Sequence, residues 1–150
     1  MNKQKGFTII ELLVVVAIIA VLAAIVLVNV TGYINQGKSA AVKGNMSTML
    51  TNGAVYYDAK GNYTAFGASA GYTNPAAAAA VANGGTALTY GLNTTTNATW
   101  CSCSSMKVTT LEPTGSTFCV DTSGAKSITL TACATRCTNG AGGTNGVCQP

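Results

Sequence analysis

Two sets of residues in this chain could do chemistry. One is a single carboxylate, Glu11, at the head of an apolar run; the other is six cysteines, Cys101, Cys103, Cys119, Cys133, Cys137 and Cys148, gathered in the last third. An unpaired carboxylate at membrane depth costs about 2.5–3.5 kcal/mol on insertion scales, so Glu11 needs a partner or a task. An even number of cysteines in a loop-rich segment reads as disulfides, with fifteen complete pairings open to six of them. The C-x-C and C-x3-C spacings could instead offer four thiolates to zinc. The chain has no histidine, which removes the commonest metal ligand and general base together, and no metal or cofactor is expected. Only Arg136 is a basic neighbour of these cysteines, so no activated thiol is expected either.

The elements that must position these residues divide the 150-residue chain in two. From Leu12 to Val28 there are 17 consecutive apolar residues, and from Phe7 to Val30 only Thr8, Glu11 and Asn29 interrupt. As a helix, those residues span roughly 36 Å, enough to cross a bilayer. Lys3 and Lys5 precede the run and hold the N-terminus in the cytoplasm by the positive-inside rule, so the remainder faces outward. The net charge is +4, which falls to +2 without those two lysines, and no basic cluster follows. Nucleic-acid binding therefore gains no electrostatic support. A secretory signal peptide would be cut after the apolar stretch at small residues, but Ala20, Ala23 and Ala24 lie embedded inside it. A plain signal anchor is the other simple reading; neither gives Glu11 a role.

The stretch "KGFTIIELLVVVAIIAVLAAIVLV" resembles the class III signal of type IV pilins and pseudopilins. The resemblance is specific and covers about the first 30 residues. It implies that a prepilin peptidase cuts between Gly6 and Phe7, leaving residues 1–6 as a leader and retaining the apolar helix. It implies N-methylation of the new terminal Phe7. Glu11, five residues in, occupies the family's glutamate position. Cleavage creates an ammonium at Phe7, and in a bundle of packed helices Glu11 of one subunit can pair with the Phe7 amine of a neighbour. Each charge is costly alone and tolerable when paired, so the pair would set the stagger at which a subunit docks. The implied partners are further copies of the chain in a helical filament, the prepilin peptidase and the inner-membrane assembly machinery. The implied location is a single-pass membrane precursor, then an extracellular pilus. Many members carry a kinking proline near the end of the apolar run; here Val28 stands there, and no proline occurs before Pro75.

Residues 31–60 continue with apolar residues at helical spacing: Ile34, Ala41, Val42, Met46, Met49, Leu50, Val55 and Tyr56. This predicts one helix over 7–60, apolar over 7–30, ending at Gly61, with any bend or melting at Asn29 to Gly37. A head of residues 61–150 follows. "NPAAAAAVANGG" predicts a surface loop or a short alanine helix. "ALTYGL", "MKVTTLE", "STFCVDT" and "KSITLTA" predict three or four antiparallel strands, with turns at "PTGS" and "TSGA". Their apolar face could bury the outer half of the long helix, with Trp100, Tyr90 and Phe118 as core. The expected fold is α+β: the pilin "lollipop", a long N-terminal helix packed on a small antiparallel sheet, with a disulfide-stapled C-terminal region. Cys101 and Cys103 are too close to bridge each other. One of them is expected to bridge Cys119 across adjacent strands, and Cys137 to bridge Cys148.

Asn45, Asn62, Asn93 and Asn97 each head an Asn-x-Ser/Thr triplet, which arises easily by chance in so Thr- and Asn-rich a chain. Glu112 and Asp121 alone do not make a calcium loop. No catalytic constellation is present, so a structural subunit of a type IV pilus is expected rather than an enzyme. A type II secretion pseudopilin is the alternative, and an uncleaved signal-anchored binding module a more distant one.

Overall fold

The computed structural model describes residues 6–138 and 146–148; the leader residues 1–5 lie outside them. The order of elements is α1 (Ile9–Lys60), a 3-10 turn (Phe66–Ala68), α2 (Ala70–Asn83), β1 (Thr89–Leu92), β2 (Trp100–Ser105), β3 (Thr117–Asp121), β4 (Lys126–Thr129) and α3 (Cys133–Arg136). The chain forms two compact units, one ending at Ile34 and one beginning at Asn35.

In the first unit every side chain described from residue 6 to 34 is exposed. The apolar window of α1 has a mean hydropathy of 3.3 with none of it buried. The stretch 29–37, where bending or melting was expected, is helical throughout, and the boundary between the units falls inside it. Thr31 returns its hydroxyl to the Leu27 carbonyl at 3.2 Å, which keeps a β-branched polar residue compatible with the helix.

The second unit, the head, holds the core. Val42, Met46 and Met49 of α1 are fully buried, with Leu50 and Tyr56 packed beside them, whereas Ile34, Ala41 and Val55 stay exposed. The helix stops at Lys60 because Gly61 takes φ +72°, the left-handed turn glycine accepts without penalty, while its N–H still reaches the Tyr57 carbonyl at 2.7 Å. The alanine-rich segment is the short helix α2, with Pro75 inside it. A proline cannot donate to the carbonyl four residues back, so Gly71 is left with a free acceptor. Asn52 of α1 supplies the missing donor at 2.7 Å, tying the two helices together.

The sheet is an antiparallel meander, β1-β2-β3-β4. Its register places Cys103 opposite Cys119 and Ser104 opposite Phe118, and the strand period of two then sorts the faces. One face presents Leu92, Trp100, Phe118 and Val120 to α1 and α2. Phe66, Tyr72 and Tyr90 surround Trp100 with ring centroids 4.9–6.3 Å away. Trp100 and Phe118 are buried and Tyr90 is half-buried against them, the core role expected of them. Tyr72 ends its buried ring on Ser102 at 3.1 Å, and burial raises its phenol pKa despite that bond. Each large side chain buried here contributes about 1.5–3 kcal/mol. The other face carries Cys101, Cys103 and Cys119.

One strand expectation fails. "MKVTTLE" is a loop, and the strand is "WCSCSS" just before it. The ladder ends at the Met106 N–H to Ser116 carbonyl bond of 2.9 Å. Beyond it Thr109 turns the chain: its amide donates to the Glu112 carbonyl at 2.8 Å, and its hydroxyl accepts from the Glu112 amide at 2.9 Å. Backbone groups satisfied within such a turn have none to give a strand partner.

The disulfides also differ from expectation. Cys101 pairs with Cys137, Cys103 with Cys133 and Cys119 with Cys148, so every sheet cysteine reaches a tail cysteine. The expected bridges from Cys101 or Cys103 to Cys119, and from Cys137 to Cys148, do not form. A bridge within the tail would close it on itself and leave it unattached; sheet-to-tail bridges fasten it over a face that would otherwise stand open. Arg136, fully buried, helps hold it: its guanidinium donates to the Thr117 carbonyl at 3.1 Å and the Ser127 carbonyl at 3.2 Å. Burial draws its pKa down. Asp121, also fully buried, accepts from the Cys148 amide at 2.8 Å and the Ser123 amide at 2.8 Å.

Candidate functional site: the N-terminal motif

Gly6 and Phe7 lie ahead of the first helical residue, Ile9, and both are exposed. The peptide bond between them therefore lies outside any helix, where a peptidase can reach it without first unwinding a turn. Phe7 is 80% exposed, so its ring is not packed among the described residues.

Thr8 is the residue the sequence reading passed over. It sits one position before α1, and Glu11 occupies the third helical position. The Thr8 amide donates to Glu11 Oε2 at 2.9 Å, the Thr8 hydroxyl donates to the same oxygen at 2.7 Å, and the Glu11 amide donates to Thr8 Oγ1 at 3.3 Å. This is a capping box, in which hydroxyl and carboxylate satisfy donors that a helix start leaves orphaned. The T-x-x-E spacing before an apolar run was its visible signal. A carboxylate in the first turn also meets the positive end of the helix dipole. Both bonds from Thr8 to the carboxylate fall on Oε2, and Oε1 takes neither.

The other sequence candidates are structural. All six cysteines are in disulfides, which leaves no thiolate for zinc. Glu112 is paired with Lys43, and Asp121 is taken up by Ser123 and Cys148, so these two carboxylates serve separate sites. Asn93, buried, accepts from the amides of Thr95 and Thr96 at 3.1 Å each; Asn62 accepts from Thr64 at 3.0 Å; Asn45 donates to Ala41 at 2.9 Å. Asn97 takes φ +51°, a turn conformation.

Residues 1–27 match the prokaryotic N-terminal methylation motif. The chain is 49% identical over 51 residues to the type IV major alpha-pilin of Moraxella bovis, covering 34% of this chain and 32% of that protein. It is 34% identical over 70 residues to the type IV major pilin protein PilA of Myxococcus xanthus, covering 47% of this chain and 32% of that one. A fimbrial protein of Moraxella nonliquefaciens is 42% identical over 67 residues, covering 40% and 44%. The N-terminal part of this chain is thus similar to that of type IV pilins, while the alignments span about a third of the length of the first two relatives. No solved structure matches the chain.

Proposed function

We propose that this chain is a structural, non-catalytic subunit of a type IV pilus filament, made as a membrane precursor and cut between Gly6 and Phe7 by a prepilin peptidase. The observation that carries this reading is the juxtaposition of an exposed, non-helical Gly6–Phe7 bond, a first-turn Glu11, and an apolar N-terminal part of α1, up to residue 34, with no described side chain buried. Such a surface is stable in lipid before assembly and in a bundle of like helices after it.

Cleavage leaves an ammonium at Phe7, to be methylated, one residue before the Thr8–Glu11 box. Glu11 then has two tasks. Oε2 caps its own helix through Thr8, and Oε1 is available to the Phe7 ammonium of a neighbouring subunit. The pair sets the register of docking, and burial of apolar surface supplies the cohesion. The head stays outside as the filament surface, its disulfides suited to an oxidising exterior. Pilin names among the relatives support a pilus subunit over a secretion pseudopilin.

Intact mass and N-terminal sequencing of filaments sheared from native cells test the reading. A chain beginning at methylated Phe7 and six hydrogens lighter than its reduced form is expected. A chain found only in membranes and still beginning at Met1 would overturn it.

A further inference from the structure

The three disulfides of the head differ in what surrounds them. In Cys101–Cys137 both residues are buried, at 0% and 2% exposure. The fully buried Asp121 stands opposite Cys101 in the sheet register, so a thiolate there would meet a like charge. Asp121 also accepts from the Cys148 amide at 2.8 Å, which sets the same carboxylate beside Cys119–Cys148. Cys103–Cys133 is different. Both its residues line an open cleft of about 320 Å³ together with Thr86, Thr89, Ser105 and Thr117. Cys103 is fully buried and Cys133 only half-buried, so Cys133 is the side from which the bond is approached. The cleft lies at the small end of the range for ligand pockets, and its hydroxyl-bearing wall suits a small polar guest.

A second nucleophile and a positive charge lie behind this bond. The register places Cys103 directly across from Cys119. Facing residues on antiparallel strands have Cα atoms about 4.5–5.5 Å apart, within the ~4.4–6.8 Å that a disulfide accepts. The cysteines of sheet and tail pack as one cluster. On the same face the buried Arg136 guanidinium donates to Thr117 and to Ser127, the register partner of Cys119. A guanidinium beside a sulfur favours the thiolate, the form that leaves and attacks in exchange.

We propose that the cleft is a site of S-thiolation by a low-molecular-weight thiol, and that Cys103 and Cys119 relay the exchange to the end of the tail. The entering thiolate attacks Cys133 Sγ; a mixed disulfide forms on Cys133, and Cys103 leaves as thiolate. Cys103 then attacks Cys119 Sγ. The cross-strand bond Cys103–Cys119 forms, and Cys148 leaves and takes up the proton that the entering thiol gave away. Three S–S bonds and one thiol are present before and after, so no oxidant or reductant is consumed. Cys101–Cys137 is kept, while the tail is released from the sheet at Cys133 and Cys148. Withdrawal of the small thiol drives the exchange backwards and fastens the tail again. This chemistry belongs to the head and does not depend on assembly.

The test uses the full chain in detergent, its three disulfides verified by intact mass, with excess reduced glutathione as the probe. Samples are quenched with acid over time, free thiols are alkylated, and the linked peptides are mapped. Cleavage by trypsin at Lys107, Lys126 and Arg136 puts Cys103, Cys119 and Cys133 on separate peptides. Glutathione should appear first on Cys133, at least tenfold faster than Cys101–Cys137 opens. The Cys103–Cys119 bridge should follow, with Cys148 alkylated. No adduct, a first adduct on Cys137 or Cys148, or a Cys133 adduct that leaves Cys119–Cys148 intact would each overturn the proposal.

Discussion

The two parts of α1 invert the usual relation between composition and burial. Residues 9–34 are almost wholly apolar, and none of those described is buried; residues 35–60 are rich in Gly, Ser, Thr, Asn and Lys, yet Val42, Met46 and Met49 are completely buried. A helix apolar all round has no face to choose and needs an apolar solvent or a ring of like neighbours. A helix with a few apolar residues on one stripe needs only one sheet. The core of this chain is built by its less hydrophobic half, and the more hydrophobic half is left for other molecules. The first region should therefore govern assembly without affecting the fold, and the second should govern the fold.

The strongest way to break that division is at the motif. Gly6→Val should abolish cleavage and hence filaments, with only full-length precursor on an immunoblot. Glu11→Ala should leave processing largely intact and reduce sheared filaments at least tenfold. Its loss of the capping box should cost about 1 kcal/mol of local helix stability, too little to unfold anything. Normal filaments from Glu11→Ala in cells lacking other pilins would sink the register role of the carboxylate. In the head the largest effect should come from the tail staples. Replacing Cys119 and Cys148 together by Ala opens a loop with a sequence separation of 29. It should cost about 3–4 kcal/mol, read as a lowered unfolding midpoint in urea.

The sequence was legible where one residue type has one physical use. Gly61 ends the helix where it was expected to, and β3 and β4 carry alternating or β-branched residues. It was illegible where the outcome depends on the path of the chain in space. Strand β2, "WCSCSS", has little β propensity of its own; it is a strand because its aromatic face meets α1 and its cysteine face meets the tail. The cystine pattern could not be read because the tail's route over the sheet determines it. Thr8 was overlooked for a different reason: Glu11 was considered only as a partner for another molecule, while its nearest partner lies three residues away.

Glu112 offers a smaller test confined to the head. Burial raises its pKa, but the Lys43 ammonium and the hydroxyls of Ser39 and Thr109 outweigh burial, and the result lies below the ordinary value of 4.5. A carboxyl whose pKa is depressed on folding adds stability that is full above the unfolded value and lost as pH falls through the folded one. Glu112→Gln should therefore cost about 1–2 kcal/mol at pH 7, and the difference from the parent should vanish at strongly acidic pH. Urea unfolding at several pH values checks this; a constant difference across the acid range would mean that the turn at Thr109, and not the ion pair, holds the loop.

The finest comparison is among glycines of one helix. A Cβ at Gly53 would come within 2.9 Å of Trp100 Cζ2 and 3.0 Å of Nε1. That indole is wedged between Phe66 and Tyr90 and has little room to yield. Crowding of this kind costs about 1–3 kcal/mol, more than the ~1 kcal/mol that alanine gains over glycine in a helix. Gly53→Ala should destabilise the head. Gly44 has nothing within 4 Å of an added Cβ, and neither has Gly32 in the apolar unit. Gly44→Ala should raise head stability by about 0.5–1 kcal/mol, and Gly32→Ala should increase the helicity of detergent-solubilised subunit without moving the head's urea midpoint. If Gly32→Ala shifted that midpoint as much as Gly44→Ala, the two parts of α1 would unfold together and the division drawn above would fail.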